Sequence, residues 1–473
     1  MTARNRTLCR WVAAATLCLA ALVAGCSSLP TLVPDLARRP AKPVPLHGAG
    51  GPLSAAQSKA VLDRLRGSGP PSDILGRHLA VEESIVGSPL TIGNQVLLLQ
   101  DGPATYKAML TAIAAARQHI NMETYILEDD AVGQQFAQAL IAKQKQGVQV
   151  NLIRDSAGTF GTPAAFFQRL VDSGVNVLEF NPVNPLTAGA DWAWNQRDHR
   201  KLLVVDGHTA FLGGINISSV YSGGSFSRGD HRQAQAKKPG DSADLAWRDT
   251  DIQLRGPVVA ELQKLFLAAW VAQQGPPLAP LDYFPRLKHE GDLVVRAIGS
   301  SPEEAFSLIY ATLLSAITSA ESSVTLTNAY FAPDPQLLGA LEAAAARGVT
   351  VTLILPSQTD SWLVFHAGRS HYARLLRAGV KIFERGGVVL HSKTGLIDGV
   401  WATVGSTNLD WRSFLHNHEL NAVVLGAAFG KQVQAMIDRD LAASKPIVLQ
   451  NWEQRGPGPR LKEWFGRLWE YWL

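Results

Sequence analysis

The stretch DHRKLLVVD, residues 198–206, returns as LHSKTGLID at residues 390–398, and this pair decides the fold. Both copies contain His-x-Lys-x-x-x-x-Asp: His199, Lys201 and Asp206 in the first, His391, Lys393 and Asp398 in the second. One match in a chain of ordinary composition is unremarkable; a second with identical internal spacing points to a repeat. The likeness outruns the motif. Each copy runs into a hydrophobic stretch and a glycine-containing turn, then reaches an asparagine seventeen residues after its histidine, Asn216 in one and Asn408 in the other.

Working outward, the same order of elements precedes each copy. In the first half a strand-like run at 96–99 and a helix at 106–117 lead to INMETYIL, a helix ending at Gly147, VQVNLIRD, a further helix and VNVLEF. The second half repeats this with a helix at 305–320, VTLTNAYF, a helix ending at Gly348, VTVTLILP, a helix and VKIFERG. Four Gly-Val pairs, at 147–148, 174–175, 348–349 and 379–380, read as helix stops running straight into strands. Alternating helices and doubly apolar strands predict an α/β fold: two α/β/α sandwich domains, related by internal duplication and sharing one active site at a pseudo-two-fold interface. The expected limits are 76–285 and 286–445, each domain with its own core, joined by a Gly/Pro-rich linker near 274–285. A Gly- and Ser-rich segment at 222–243 has no counterpart in the second half and reads as a surface loop.

The start of the chain reads as an export signal over residues 1–25: Arg4, Arg6 and Arg10, then an apolar run from Trp11 to Ala24 that is short for a bilayer span. Val23-Ala24-Gly25-Cys26 resembles a lipobox, which implies cleavage before Cys26 and a lipid on its sulfur; the alternative is an uncleaved anchor helix. Either places the body outside the cytoplasm, and Ser27 favours the outer membrane, on its periplasmic face, by the usual sorting rule. Cys9, Cys18 and Cys26 are the only cysteines, so the mature chain has no internal disulfide. Residues 26–75, rich in Pro and Gly up to about Ser54, read as an extended tether. Losing residues 1–25 removes three arginines and no acid, lowering the formal charge from +4 to +1. So balanced a body argues against nucleic acid as a partner. At 446–473 the tail brings Trp464, Phe465, Leu468, Trp469 and Trp472 largely to one side of a helix, suited either to core packing or to a membrane surface.

In a strand, residues two apart share a face, so each motif offers an imidazole beside an ammonium group. Two such pairs around one axis suit a phosphate diester: the lysines neutralise its oxygens, one neutral histidine attacks phosphorus, and the other, protonated, donates to the leaving oxygen. The six residues His199, Lys201, Asp206, His391, Lys393 and Asp398 form the candidate catalytic set, with no metal or other cofactor required. A metal site is the competing reading, but lysine is not a ligand and nothing completes a tetrahedral set. His416 and His418 are read as surface or supporting groups, and His47, His78, His119 and His208 as structural. Aligning the last strands of the halves, DTDIQL with ELNAVV, sets Asp249 opposite Glu419, and these carboxylates are expected to hold the imidazoles. Asn216 and Asn408 either donate to phosphate or brace the turn, and Ser406 is grouped with them as a binding or orienting residue.

The duplicated motif resembles that of the phospholipase D superfamily. More narrowly, NQRDHRKLLVVDGHTAFLGGINIS, VVLHSKTGLIDGVWATVGSTNLDWRSF, NAYFAPD and WRDTDIQLRGP are similar to bacterial cardiolipin synthases, over roughly residues 90–445. The resemblance implies two phospholipase D-like sandwiches with one active site, His199 as nucleophile through a phosphohistidine, His391 as general acid and base, Lys201 and Lys393 on phosphate, and Asp206 and Asp398 supporting the fold. It implies glycerophospholipid substrates, a phospholipid membrane as partner, and phosphatidyl transfer with phosphatidylglycerol as donor and acceptor. A hydrolytic phospholipase D and an extracytoplasmic nuclease are the rival readings. The chain departs from the common pattern in having a lipoprotein-like start in place of paired N-terminal membrane helices. Oligomeric state is not legible.

Overall fold

The main strands of the first half are β1 (Leu90–Gln100), β2 (His119–Thr124), β3 (Gln149–Asp155), β4 (Asn176–Phe180), β5 (Leu202–Val205), β6 (Thr209–Gly213) and β7 (Thr250–Arg255). Their counterparts are β8 (Leu293–Ser300), β9 (Ser323–Asn328), β10 (Thr350–Pro356), β11 (Lys381–Arg385), β12 (Lys393–Ile397), β13 (Trp401–Gly405) and β14 (Asn417–Leu425). The computed structural model describes residues 29, 31, 44–67, 73–184, 193, 195–223 and 245–473. Cys26, the expected signal and most of the 222–243 segment lie outside them.

The spatial order is β4-β3-β2-β5-β6-β7-β1 in one half and β11-β10-β9-β12-β13-β14-β8 in the other. β2, β3 and β4 run parallel, as do β9, β10 and β11; the remaining neighbours are antiparallel. The two sheets join through β1, whose start pairs antiparallel with β8 (Thr91 with Val295, Asn94 with Leu293) while Gln95–Gln100 pairs with β7.

Local chemistry sets the boundaries. Gly147, Gly174, Gly348 and Gly379 have φ between 86° and 91°. The following valine N–H returns to a carbonyl five residues back in each case, as in Val148 to Lys143 and Val349 to Ala344 (both 3.1 Å), so the predicted helix stops are Schellman turns.

Strand alternation distributes the core. Leu203, Val205 and Phe211 face an outer layer with Tyr106, Phe136 and Phe166 from the helices Asp101–Ala115, Ala131–Lys145 and Ala164–Asp172. Leu202, Val204 and Leu212 face inward, into a single cluster that takes Phe266 of helix Val258–Ala272 together with Leu396, Val404 and Val424 of the second half and Val433 of helix Ala427–Ala442. The halves therefore share their central core, where two separate ones are expected from the sequence. The inward strand faces are apolar on both sides of the interface and have nothing else to bury against. At about 1.5–3 kcal/mol per fully buried aliphatic side chain, this layer, and not the linker, holds the halves together.

Two N-terminal pieces depart from the expected tether over 26–75. Leu46–Gly48 pairs parallel with the start of β1, and helix Ala55–Gly67 follows, with Leu46 and Leu62 buried and the Ser58 hydroxyl accepting from the Leu46 N–H at 3.1 Å. Proline and glycine exclude a central strand but not a three-residue one. Helix Ile74–Ile85, at the expected start of the first domain, packs instead on the second half: His78 Nδ1 lies 3.1 Å from Ser315 Oγ, and Glu82 pairs with Arg296 at 3.5 Å.

Candidate active site

Two short parallel pairings build the site. Arg197–Asp198, leading into the first motif, runs beside Asn417–His418, and Val389–Leu390, leading into the second, runs beside Trp247–Arg248. The His199 N–H donates to the His418 carbonyl at 2.9 Å, and the His391 N–H to the Arg248 carbonyl at 2.8 Å. Each histidine is thereby fixed next to the residue after that carbonyl, and the carboxylates cross over. Glu419, from the second half, places its oxygens 3.0 and 3.1 Å from Nδ1 of His199; Asp249, from the first, lies 2.7 Å from Nδ1 of His391. With Nδ1–H donated to a carboxylate, Nε2 of each ring is left for substrate.

The carboxylates are held differently. Ser406 Oγ donates to Glu419 at 2.5 Å, with the Asn417 amide at 3.3 Å. Asp249 accepts the Thr250 N–H at 2.7 Å, and Gly214, which follows β6 as Ser406 follows β13, sits so close that a Cβ there would fall 2.3 Å from Asp249 Oδ1.

Lys201 Nζ donates to the His199 carbonyl at 2.6 Å, and Lys393 Nζ to the His391 carbonyl, lying 3.0 Å from Nδ1 of its ring. All four groups are buried. Burial holds His199 down at about 4 against the pull of Glu419, with both lysines adding to the depression; His391 is lowered too, by burial and then by Lys393, against Asp249. Burial also lowers Lys201 to about 7 and Lys393 to about 8. The charge of Lys393 acts on His199, and that of Asp249 on Lys201, so the two motifs sit in one electrostatic field.

Asp206 and Asp398, placed in the catalytic set by the motif, stand apart from this chemistry. They end β5 and β12, five residues beyond the lysines or roughly 16 Å along a strand. Asp206 accepts the N–H groups of Arg117, Gln118 and His119 at 2.8–3.0 Å, and Asp398 those of Glu321, Ser322 and Ser323 at 2.8–2.9 Å. Both adopt φ near +50° in the turn. A short acceptor that tolerates a left-handed backbone is what the position selects, and the role is to pin the hairpin to the loop before β2 or β9.

Asn216 is taken up in bracing: its Oδ1 accepts the Ile126 N–H at 3.1 Å and its amide donates to the Tyr221 hydroxyl at 3.2 Å. Asn408 keeps a buried Oδ1 without a partner among the described residues. Aromatic groups that sequence reasoning missed complete the walls. The Tyr221 hydroxyl lies 3.2 Å from Nδ1 of His391, and the Trp247 ring lies tilted at 46° to that imidazole, 5.0 Å away between centroids. Tyr125 lies 5.2 Å from His199 and Tyr330 6.1 Å from His391, centroid to centroid. These two tyrosines follow β2 and β9, so the repeat itself carried the signal. Arg200, inside the first motif, is buried between Asp198 (3.0 Å) and Glu123 (2.8 Å). His418 supports the site through its carbonyl, its ring packing 5.0 Å from Phe180. Among the described residues no group of three or more His, Cys, Asp or Glu side chains could hold a metal ion.

The family model described as cardiolipin synthase, phospholipase D-like domain, matches twice, over residues 109–222 and 313–441. The chain belongs to this family of phospholipase D-like enzymes, the phosphatidyltransferases of the superfamily. It is 34% identical over 401 residues to a cardiolipin synthase of Geobacillus sp. (strain WCH70), covering 83% of this chain and 76% of that one. It is 35% identical over 369 residues to cardiolipin synthase A of Pseudomonas entomophila (strain L48), covering 77% and 72%. The crystal structure of the phosphatidylserine synthase of Haemophilus influenzae Rd KW20 shares the fold, with a TM-score of 0.58 and 14% identity, over 84% of this chain and all of that one. The expected duplication and superfamily are thus shown. No helix among the described residues is long and apolar enough to cross a membrane.

Proposed function

We propose that this member of the cardiolipin synthase family transfers a phosphatidyl group from phosphatidylglycerol to a second phosphatidylglycerol, through a phosphatidyl-histidine. The crossed pair of imidazoles, each with Nδ1 on a carboxylate and a lysine alongside, carries the reading. Nε2 of neutral His199 attacks phosphorus, and the bond to the glycerol headgroup breaks as Nε2–H of His391 gives the departing oxygen its proton. His391 then takes the proton of the acceptor hydroxyl; that oxygen attacks phosphorus, His199 leaves, and the products are cardiolipin and free glycerol. The diester's negative charge raises the pKa of Lys201, Lys393 and His391 as it binds, so these groups are charged when needed.

The reading includes attachment through a lipid on Cys26, with the body at the periplasmic face of an outer membrane; the sequence around Cys26 supports it. Purified chain incubated with labelled phosphatidylglycerol is expected to yield cardiolipin and glycerol in equal amounts. Phosphatidic acid with no cardiolipin would make the chain a hydrolase. In cells, wild type is expected to raise cardiolipin and Lys393→Ala is not.

A further inference from the structure

The C-terminal helix Pro457–Arg467 is inverted relative to an ordinary surface helix. Its inward face carries Glu463, buried and bound by Arg455 at 2.5 and 3.0 Å, and Gly466, which lies so close to helix Trp362–Ser370 that a Cβ would fall 2.7 Å from the Ala367 nitrogen. Its outward face carries Leu461, Trp464, Phe465 and Leu468, 65%, 58%, 43% and 58% exposed. These positions, spaced i, i+3, i+4 and i+7, form one apolar stripe. Trp469 and Trp362, 47% and 45% exposed, extend it, the Trp362 ring lying 6.2 Å from Phe465. The helix's exposed charges, Arg460, Lys462 and Arg467, are all basic. Glu470, just beyond, is engaged by His371 at 2.8 Å.

We propose that this face docks on an anionic phospholipid bilayer. An apolar stripe on a helix whose exposed charges are all cations fits the headgroup zone of such a membrane, where aromatic rings settle and each nearby cation adds attraction. The surface is linked to the wall of the active site through Asp360 and Tyr330. Between the two helices a cavity of about 350 Å³ is lined by Asp360, Trp362, Phe365, His366, Arg369 and Lys462. The Asp360 carboxylate accepts from the Tyr330 hydroxyl at 2.6 Å, and Tyr330 borders His391. Docking there brings lipid to the His391 side of the site, which deepens the transferase reading and rests on it for its purpose.

The test uses full-length chain and phosphatidylglycerol vesicles with brominated acyl chains, which quench tryptophans that enter the bilayer. Wild type is expected to be quenched, and Trp464→Phe combined with Trp469→Phe to lose about half of that quenching, whatever holds the N-terminus. Phosphatidylcholine vesicles should engage the face roughly tenfold more weakly. Quenching unchanged in the double variant overturns the proposal. So does a lipid-free dimer, seen by sedimentation, that Leu468→Asp dissociates, since a second copy would then be the occupant. Cardiolipin formation in detergent micelles, where docking is not needed, is read separately: its absence with quenching intact rejects the transferase and leaves the docking face standing.

Discussion

The Glu419 carboxylate holds Nδ1 of His199 from 220 residues away in the sequence, and Asp249 holds His391 in the same way across 142. Each imidazole is therefore oriented by the half that does not contain it. Glu419→Gln keeps the shape but no longer stabilises the His199 tautomer that frees Nε2, and is expected to slow turnover by about 10²- to 10⁴-fold. Burst kinetics with labelled lipid will check it: the labelled protein intermediate should form slowly, not decay slowly.

Asp249→Asn acts on the acid. It is expected to impair release of glycerol but not of p-nitrophenol, which departs without a proton. With a phosphatidyl-p-nitrophenol substrate, Asp249→Asn and His391→Ala should recover most of the first turnover, whereas His199→Ala recovers none. Equal losses in all three on the activated substrate would reverse or abolish the assignment of nucleophile and acid.

Protonation bounds the reaction on both sides. As the proposed nucleophile His199 must be neutral, so an acid limb is expected near 4. His391 must enter protonated, and burial keeps it below the ordinary histidine range, with Lys201 and Lys393 losing charge near 7 and 8. The alkaline limb of kcat/KM is therefore expected below about pH 6.5. Because the bound diester raises the same groups, the alkaline limb of kcat should lie higher. Coincident alkaline limbs in initial-rate profiles would show that the substrate's charge does not act on them.

Asp206→Ala and Asp398→Ala each strip an acceptor from three N–H groups and force alanine into a left-handed turn. A loss of about 1–3 kcal/mol of stability is expected, by denaturant unfolding, with turnover per folded molecule nearly unchanged.

Asp251 is buried, accepts the Ile215 N–H at 3.1 Å, and is pushed up to about 8 by burial and then by Asp249. Its counterpart is Asn421, a neutral isostere whose Oδ1 accepts from Thr407. Since the folded-state pKa is raised, Asp251's contribution to stability is full below about pH 4 and lost as pH rises towards 8. Asp251→Asn is expected to keep activity and to flatten the decline in melting temperature across that window.

The sequence made the duplication, the helix stops and the site's two His-Lys pairs legible because each depends on local spacing. Which carboxylate meets which imidazole depends on Arg197–Asp198 and Trp247–Arg248 pairing across halves, and no local pattern encodes a partner so distant. The motif grouped its aspartates with the histidines and lysines, while the family resemblance gave them to the fold; a strand separates the motif's ends, so Asp206 and Asp398 serve the turn while the histidines serve the site. The aromatic tail showed the same period whether it faced inward or outward; the close seat of Gly466 on Ala367 decided for outward.

Because Glu419 lies on β14, late in chain order, a polypeptide emerging from the ribosome possesses His199 long before it possesses the carboxylate that holds that imidazole. Truncated or half-made molecules are thus expected to be chemically silent towards the lipids around them, with reactivity arising only once β14 has taken its place.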